Sequence, residues 1–99
     1  MSRGLRLHPG AQSDLAEATA YYEAESAGLG DVFLAQVERA FAQVVAFPEG
    51  CPVSRGALRV KVLEAFPHSV HYSMLADGVV LVVSVAHHRR RPFYWTDRL

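Results

Sequence analysis

The stretch Val79-Val-Leu-Val-Val-Ser-Val-Ala86 is almost entirely β-branched or aliphatic. It follows an Asp77-Gly78 pair, which is typical of a tight turn, and a charged run comes directly after it. An apolar run bounded in this way predicts a strand that is buried on both faces, as strands in the interior of a sheet are. We therefore expect the sheet of this protein to be built around this strand.

The predicted strand continues into His87-His-Arg-Arg-Arg-Pro-Phe-Tyr-Trp95. Two imidazoles, three guanidiniums and three aromatic rings thus follow within nine residues of its end. Packing is the favoured use of Phe93, Tyr94 and Trp95, because a small sandwich needs large rings to close its open end, and stacking on bases is the alternative. The end of this strand is where we expect functional residues.

Three other short segments predict strands. Leu58–Val62 alternates strictly, which places Arg59 and Lys61 on the face opposite its apolar side chains. The segment 71–75 leads through the Asp77-Gly78 turn into the central strand, and 5–7 is short enough to lie at an edge or beside that strand. The segment 47–56 contains two prolines and two glycines and is expected to have no regular structure.

Two amphipathic helices are predicted between the first strand and the others. The first is expected over about residues 9–26 and the second from about Asp31, which is a favourable N-cap. Their apolar stripes have helical spacing. These stripes consist of Ala11, Leu15, Ala18 and Tyr22 in the first helix and of Phe33, Val37, Ala40, Phe41, Val44 and Val45 in the second. Because only Gly28-Leu29-Gly30 separates them, the helices should form an antiparallel hairpin.

The order strand, helix, helix, three strands predicts a single α+β domain over residues 1–99. We expect a two-layer sandwich in which the helical hairpin packs on one face of a mainly antiparallel four-stranded sheet. The opposite face, which should carry Arg59 and Lys61, is expected to have no helix on it.

Composition limits the possible partners and compartments. Ten basic and ten acidic residues cancel, so the chain as a whole is not drawn to nucleic acid or to an anionic membrane. Seven of the ten Lys and Arg residues nevertheless lie between Arg55 and Arg98. The single cysteine, Cys51, excludes an internal disulfide framework, and no apolar stretch approaches the ~20 residues of a membrane span. We expect a cytoplasmic protein.

Several polar residues could converge on the open face or its rim. They are Arg59, Lys61, His87, His88, Arg89 and Tyr94. Cations together with an imidazole and a phenol suit cleavage of RNA, which needs a base, an acid and donors for phosphorane charge. The alternative is a solvated basic rim. Adjacent histidines point to opposite faces of an extended chain, so we expect no metal site, and we expect no cofactor because no nucleotide-binding motif is present.

Longer motifs connect these segments. The first half contains His8-Pro9-x-Ala11-x-x-Asp14-Leu15-x-Glu17-Ala18, then Tyr21-Tyr22, Gly28-Leu29-Gly30 and Phe33-Leu34. The second half contains Arg59-x-x-x-Leu63-x-x-Phe66-Pro67-x-x-Val70-x-Tyr72, and then Ala86-His87-x-Arg89-Arg90-x-Pro92-x-Tyr94-Trp95-x-x-Arg98. In content and order these motifs resemble the RelE/ParE superfamily of type II toxin–antitoxin toxins, and the ParE-like plasmid-stabilisation branch in particular.

The resemblance implies a toxin that is neutralised by a small cognate antitoxin protein. ParE-like members are understood to bind DNA gyrase without a reaction of their own, whereas RelE-like members are ribosome-dependent messenger-RNA endonucleases. The first activity implies DNA gyrase as the target and no sequence-specific nucleic-acid binding by the toxin alone, and a decayed toxin is a third possibility. The expected binding residues are Arg59, Lys61, His87, His88, Arg89, Arg90, Arg91, Tyr94 and Trp95. For the endonuclease they would be Arg59, Lys61, His87, Arg89 and Tyr94.

Overall fold

The computed structural model describes residues 4–98, which form two helices and five strands. The elements are β1 (Leu5–Leu7), α1 (Pro9–Glu25), α2 (Leu29–Ala46), β2 (Val53–Arg55), β3 (Leu58–Val62), β4 (His68–Met74), β5 (Val80–His87) and a final 3-10 turn (Thr96–Arg98). The strand order is β1-β5-β4-β3-β2, with β1 parallel to β5 and all other neighbours antiparallel. The prediction of an α+β sandwich with a helical hairpin is confirmed, with a mixed sheet of five strands in place of four.

The strand expected to organise the sheet is β5, which lies between β1 and β4. Its residues from Val82 to Ala86 are all buried, as the apolar run predicted. The middle strand of the five is β4, which pairs with β5 along its whole length. A β-bulge between His71 and Tyr72 changes the register halfway along this pair.

The segment 47–56, which we expected to be irregular, contains β2. Val53 and Arg55 pair with β3 at the sheet edge, and all three residues of β2 are exposed. The breakers do not prevent this strand but delimit it, since Pro52 precedes it and Gly56, with φ of 56°, makes the turn into β3. A three-residue edge strand has too little apolar content to be recognised by periodicity.

A carboxylate on α1 caps the start of α2 in the helical hairpin. The side chain of Glu23 on α1 accepts hydrogen bonds from the amides of Gly28 (2.9 Å) and Gly30 (3.0 Å), which are free at the start of α2. A Cβ at Gly30 would approach the carbonyl oxygen of Thr19 to 2.8 Å, so glycine allows the helices to come this close. The second helix therefore begins two residues earlier than predicted, and Asp31 lies in its first turn instead of capping it.

Two apolar clusters stabilise the sheet, one on each face. The larger lies between the sheet and the helices and includes Ala11, Phe33, Val37, Ala40, Val44, Leu63, Val70, Tyr72, Val80, Val82 and Val85. The smaller consists of Leu58, Val83, Ala86 and Trp95 on the opposite face. Full burial of each Val or Phe side chain contributes about 1.5–3 kcal/mol. The face that we expected to be open is thus partly covered by the chain's own C-terminal segment.

Arg59 and Lys61 do not lie on that opposite face, which corrects the prediction. Arg59 pairs with Tyr72 and Lys61 with Val70, and paired residues share a face. Tyr72 and Val70 belong to the cluster beneath the helices. Alternation established which residues of β3 lie together but could not tell which face the helices cover. The two cations are tolerated on the helical side because β3 lies near the margin of the sheet.

Candidate functional site

The buried carboxylate of Asp14 connects α1 to the end of the chain. Its Oδ2 accepts hydrogen bonds from the amide of Val85 (3.1 Å), the hydroxyl of Tyr94 (3.0 Å) and Nη1 of Arg98 (2.9 Å). Its Oδ1 lies 3.3 Å from Nη2 of Arg98 and 3.5 Å from Nη1 of Arg90. Only 5% of Asp14 is exposed, so these donors replace the water that the charge has lost.

This cluster completes a part of the sheet that has no neighbouring strand. β1 ends at Leu7, opposite Val82, and β5 continues beyond it. There Asp14 accepts the amide of Val85, and Nη1 of Arg98 donates to the carbonyl oxygen of Val83 (3.0 Å). At this edge of β5, the side chains of Asp14 and Arg98 thus form the hydrogen bonds that the backbone of a neighbouring strand would otherwise supply.

The phenol of Tyr94 is held inside the same cluster. Its ring stacks on the guanidinium of Arg90, whose Cζ lies 3.7 Å from the ring centroid. Burial raises the pKa of Tyr94 strongly, and the negative charge of Asp14 raises it further. A phenol whose proton is retained by a buried carboxylate is a poor group for proton transfer at neutral pH. Tyr94 therefore holds the C-terminal segment against Asp14 and is not placed for proton transfer.

Trp95 packs on the sheet face opposite the helices and is 5% exposed. Its ring stacks on His71 at a centroid distance of 4.0 Å, and the Nδ1 atom of His71 lies 3.1 Å from the hydroxyl oxygen of Ser84. Burial, with a smaller contribution from His88, lowers the pKa of His71 to about 4, so this ring is neutral at physiological pH. Packing, the use favoured from the sequence, is therefore the main use of Trp95, although this residue was also one of the expected binding residues.

His87 and His88 lie on opposite faces of the sheet. The ring of His87 lies 5.0 Å from that of His68 on the helical side, whereas Nε2 of His88 lies 2.8 Å from the hydroxyl oxygen of Ser69 on the other. Nδ1 of His87 also accepts a hydrogen bond from the amide of Arg89, which shapes the turn after β5. Within residues 4–98, no three side chains of His, Cys, Asp or Glu are grouped to hold a metal ion.

The five residues considered for an endonuclease are not brought together. Nη1 of Arg59 donates to the carbonyl oxygen of Cys51 (2.6 Å) and supports the loop before β2. Lys61 lies in a groove beside α2, next to Arg39 and Gln43. His87, in contrast, lies beside α1. The two parts of the set are therefore in different grooves of the molecule.

Three of the six exposed arginines in residues 4–98 lie together just beyond the end of β5, in the turn that follows it. We call residues 87–91 the basic turn. Arg89 and Arg91 are exposed, and the side chain of Arg90 is 47% exposed although it also reaches Asp14. The pairing of His87 with His68 holds the first end of the basic turn, and the contacts of Tyr94 with Asp14 and the burial of Trp95 hold the chain after it.

A cleft of about 370 Å³ opens between α1 and the end of β5. It is lined by Asp14, Glu17, Ala18, Tyr21, Tyr22, His68, Val85, His87 and Arg90. His68 is 3% exposed, and burial, followed by the charges of His87 and His88, lowers its pKa to about 4. Its Nδ1 lies 3.5 Å from the hydroxyl of Tyr22.

Sequence reasoning missed the site roles of Asp14 and Arg98. Asp14 follows Ala11 by three residues and precedes Ala18 by four, so the helical spacing already placed it on the buried stripe. A carboxylate at such a position requires a cationic partner, which is the signal that could have identified the pair.

None of the helices in the described part of the chain has the length and apolar character needed to cross a membrane. A comparison with curated proteins finds no match. Among solved structures, the chain is similar to one from the chromosomal ParDE toxin–antitoxin system of P. aeruginosa, with 17% identity, a TM-score of 0.63 and coverage of 87% of this chain and 96% of that one. It is also similar to one in the RelBE2 toxin–antitoxin complex of Mycobacterium tuberculosis, with 16% identity, a TM-score of 0.61 and coverage of 88% and 99%.

These structural similarities agree with the fold of two helices on a mixed sheet. The family model of the ParE toxin of the type II toxin–antitoxin system, parDE, matches residues 5–92. That range contains both helices, all five strands, Asp14 and the basic turn. This chain belongs to the ParE toxin family of type II toxin–antitoxin systems.

Proposed function

We propose that this protein inhibits growth by binding DNA gyrase in the cytoplasm and that a cognate acidic antitoxin neutralises it. The observation that carries the proposal is the basic turn, an exposed group of guanidiniums held between the Asp14 cluster and the buried Trp95. A cationic surface whose backbone is attached to the fold on both sides favours binding, because the backbone of the turn need not be ordered when a partner docks.

The same contacts favour binding over catalysis. RNA cleavage needs an acid and a base close to cations that stabilise the phosphorane. Here Tyr94 donates to Asp14, Arg59 donates to a loop carbonyl, and Lys61 lies in another groove than His87. With a net charge of zero, the chain also has no general attraction for RNA.

A supercoiling assay with purified gyrase tests the proposed target. Adding the protein should inhibit supercoiling, and the double variant Arg89→Glu/Arg91→Glu should inhibit less because both side chains are exposed. The matched control is Arg6→Glu/Arg39→Glu, which changes the net charge equally at exposed positions outside the basic turn. Growth arrest with normal supercoiling activity would exclude gyrase.

Mapping of transcript ends after expression in bacteria separates binding from endonuclease activity. We expect the same messenger ends with and without the protein. If new ends appear, and His87→Ala removes them, the endonuclease alternative is correct and the proposed mechanism is wrong. A protein that leaves growth unchanged would instead be a decayed toxin.

The antitoxin part of the proposal rests on charge complementarity. Arg89 and Arg91 are exposed, and Arg90 is half exposed beside them. A partner with acidic side chains would therefore be attracted electrostatically to the basic turn. Such a partner should be encoded beside this chain. Co-expression with a tag on one protein tests this directly, and failure of the two to co-purify would overturn it.

A further inference from the structure

The cleft between α1 and the end of β5 has an almost continuous aromatic wall. Ring centroids lie 5.3 Å apart for Tyr21 and Tyr22, 5.7 Å for Tyr22 and His68, and 5.0 Å for His68 and His87. All three pairs are edge-to-face. We call this space the aromatic cleft.

The space in the aromatic cleft exists because small and β-branched residues line it between the rings. Ala18 contributes one methyl group from α1, and Val85 lies in the buried strand β5. Tyr21 at its margin is 59% exposed, so its ring is accessible to a partner. The volume of about 370 Å³ lies within the ~300–1,000 Å³ typical of ligand pockets.

The charges around the aromatic cleft favour a neutral occupant. Glu17 is exposed, Asp14 is already paired with Arg98, and Arg90 is half exposed. An anion would meet Glu17 and a cation would meet Arg90, so either would face a like charge. A neutral group avoids both.

His68 adds one hydrogen-bonding group to this environment. Its Nδ1 lies near Tyr22, and its Nε2 has no partner among the described residues. No buried side-chain nitrogen in residues 4–98 lacks a partner, so this Nε2 is not fully buried, and His68 is one of the residues that line the cleft. An aromatic ring with a polar edge would fit the wall and also bond to this nitrogen.

We propose that the aromatic cleft receives a tyrosine or tryptophan side chain of the antitoxin. Arg90 belongs both to the cleft and to the basic turn, so a segment whose acidic residues contact the turn passes beside the cleft. A buried aromatic anchor beside charged contacts is the usual composition of a binding hot spot. This inference rests on the antitoxin binding proposed above and adds the chemistry of its anchor.

Titration of the isolated protein with single-residue probes tests the chemistry. N-acetyl-tryptophanamide and N-acetyl-tyrosinamide should shift the NMR signals of the Ala18 methyl group and of the His68 and His87 rings, with Kd on the order of 1 mM. N-acetyl-leucinamide and N-acetyl-glutamate should bind at least about tenfold more weakly. Equal or tighter binding of either control probe would overturn the choice of a polar aromatic occupant.

Two variants link the cleft to the partner. Ala18→Leu fills the cleft and should weaken antitoxin binding at least about tenfold, whereas the control Ala24→Leu makes the same change at an exposed position of α1 outside the cleft. Tyr21→Ala removes an exposed ring from the margin of the cleft, adds no bulk to the cleft, and should weaken binding similarly.

The outcomes separate this inference from the proposed function. If the wild-type protein binds antitoxin and Ala18→Leu and Tyr21→Ala both bind it as tightly, the cleft is not the anchor site although the proposed function stands. If the wild-type protein does not bind antitoxin, both fail. If Ala18→Leu reduces inhibition of gyrase but not antitoxin affinity, the occupant comes from the target and the antitoxin assignment is wrong.

Discussion

A single carboxylate determines how the end of this chain is attached. Asp14 serves as acceptor for the backbone of β5 and for side chains from three positions of the C-terminal segment. Gly10, one turn earlier on α1, leaves room for this arrangement because a Cβ there would collide with the guanidinium of Arg98. The position of Arg98 therefore depends both on its charge, which matches Asp14, and on the space that Gly10 leaves for its guanidinium.

Replacement of Asp14 by asparagine should be strongly destabilising. The shape is kept, but Arg98 loses a charged partner in a site where its side chain is only 15% exposed. Removing one member of a buried ion pair costs about 3–5 kcal/mol, and we expect a loss near the lower value because Arg98 keeps its bond to Val83. Urea denaturation measures it. Asp31→Asn, at an exposed position, is the control and should have a much smaller effect.

The buried His71 should make stability depend on pH. Its pKa is about 4 in the folded protein, whereas an imidazole in water has its ordinary value of 6.5, so the unfolded chain binds more protons between these values. The contribution of His71 to the free energy of unfolding is therefore fully present above about pH 6.5. It is lost as the pH falls toward 4, at up to about 1.4 kcal/mol per pH unit.

The variant His71→Asn provides the test for this pH dependence. Asparagine can keep a contact with Ser84 but has no titrating ring, so the free energy of unfolding should fall less steeply between about pH 6.5 and 5 than in the wild type. Chemical denaturation at several pH values in this window gives both slopes. Identical slopes would mean that His71 is not the titrating group.

At the scale of secondary-structure elements, the second helix begins with a cap supplied by the first. Gly28 has no side chain to cap α2, and Glu23 takes over this role from α1. Replacing Glu23 by alanine should cost about 1 kcal/mol, as loss of an N-cap does. The exposed Glu25 makes no such bond in the described structure, so Glu25→Ala is a matched control. Equal thermal stability of the two variants would contradict the capping role.

The elements that could be predicted are those specified by local periodicity. The apolar run of β5 and the stripes of both helices needed only neighbours along the chain, and all three lie where they were expected. β2 pairs with the adjacent β3, but its three residues are all exposed and show no apolar pattern. The side of the sheet on which Arg59 and Lys61 lie depends on where the helices pack, which is set by contacts between residues distant in sequence. Packing of Trp95 was the favoured prediction, but its position against Leu58 is also set by a non-local contact. These features were missed because alternation and breaker residues contain no information about the partner.

For the molecule as a whole, neutrality hides an uneven distribution of charge. The basic turn is exposed at one end of β5, while seven of the ten acidic residues lie in the first half of the chain. A local cationic surface on a neutral protein attracts an acidic partner at short range, within the Debye length of ~10 Å at 0.1 M salt, but gives little general attraction to nucleic acid. Selectivity for a protein partner is the expected consequence.

This distribution predicts a salt-dependent association with the antitoxin that depends on the basic turn. Arg89→Glu/Arg91→Glu keeps Arg90 in place beside Asp14, so the fold should be retained while the surface charge is reversed. The association rate at low salt should fall at least about tenfold, with a smaller change in dissociation, because exposed charges act mainly on encounter. Kinetics measured from about 50 to about 500 mM salt should show a steep dependence for the wild type and a flat or reversed one for the variant. Arg6→Glu/Arg39→Glu is the matched control, and an equal effect of this pair would show that net charge and not the basic turn guides the partner.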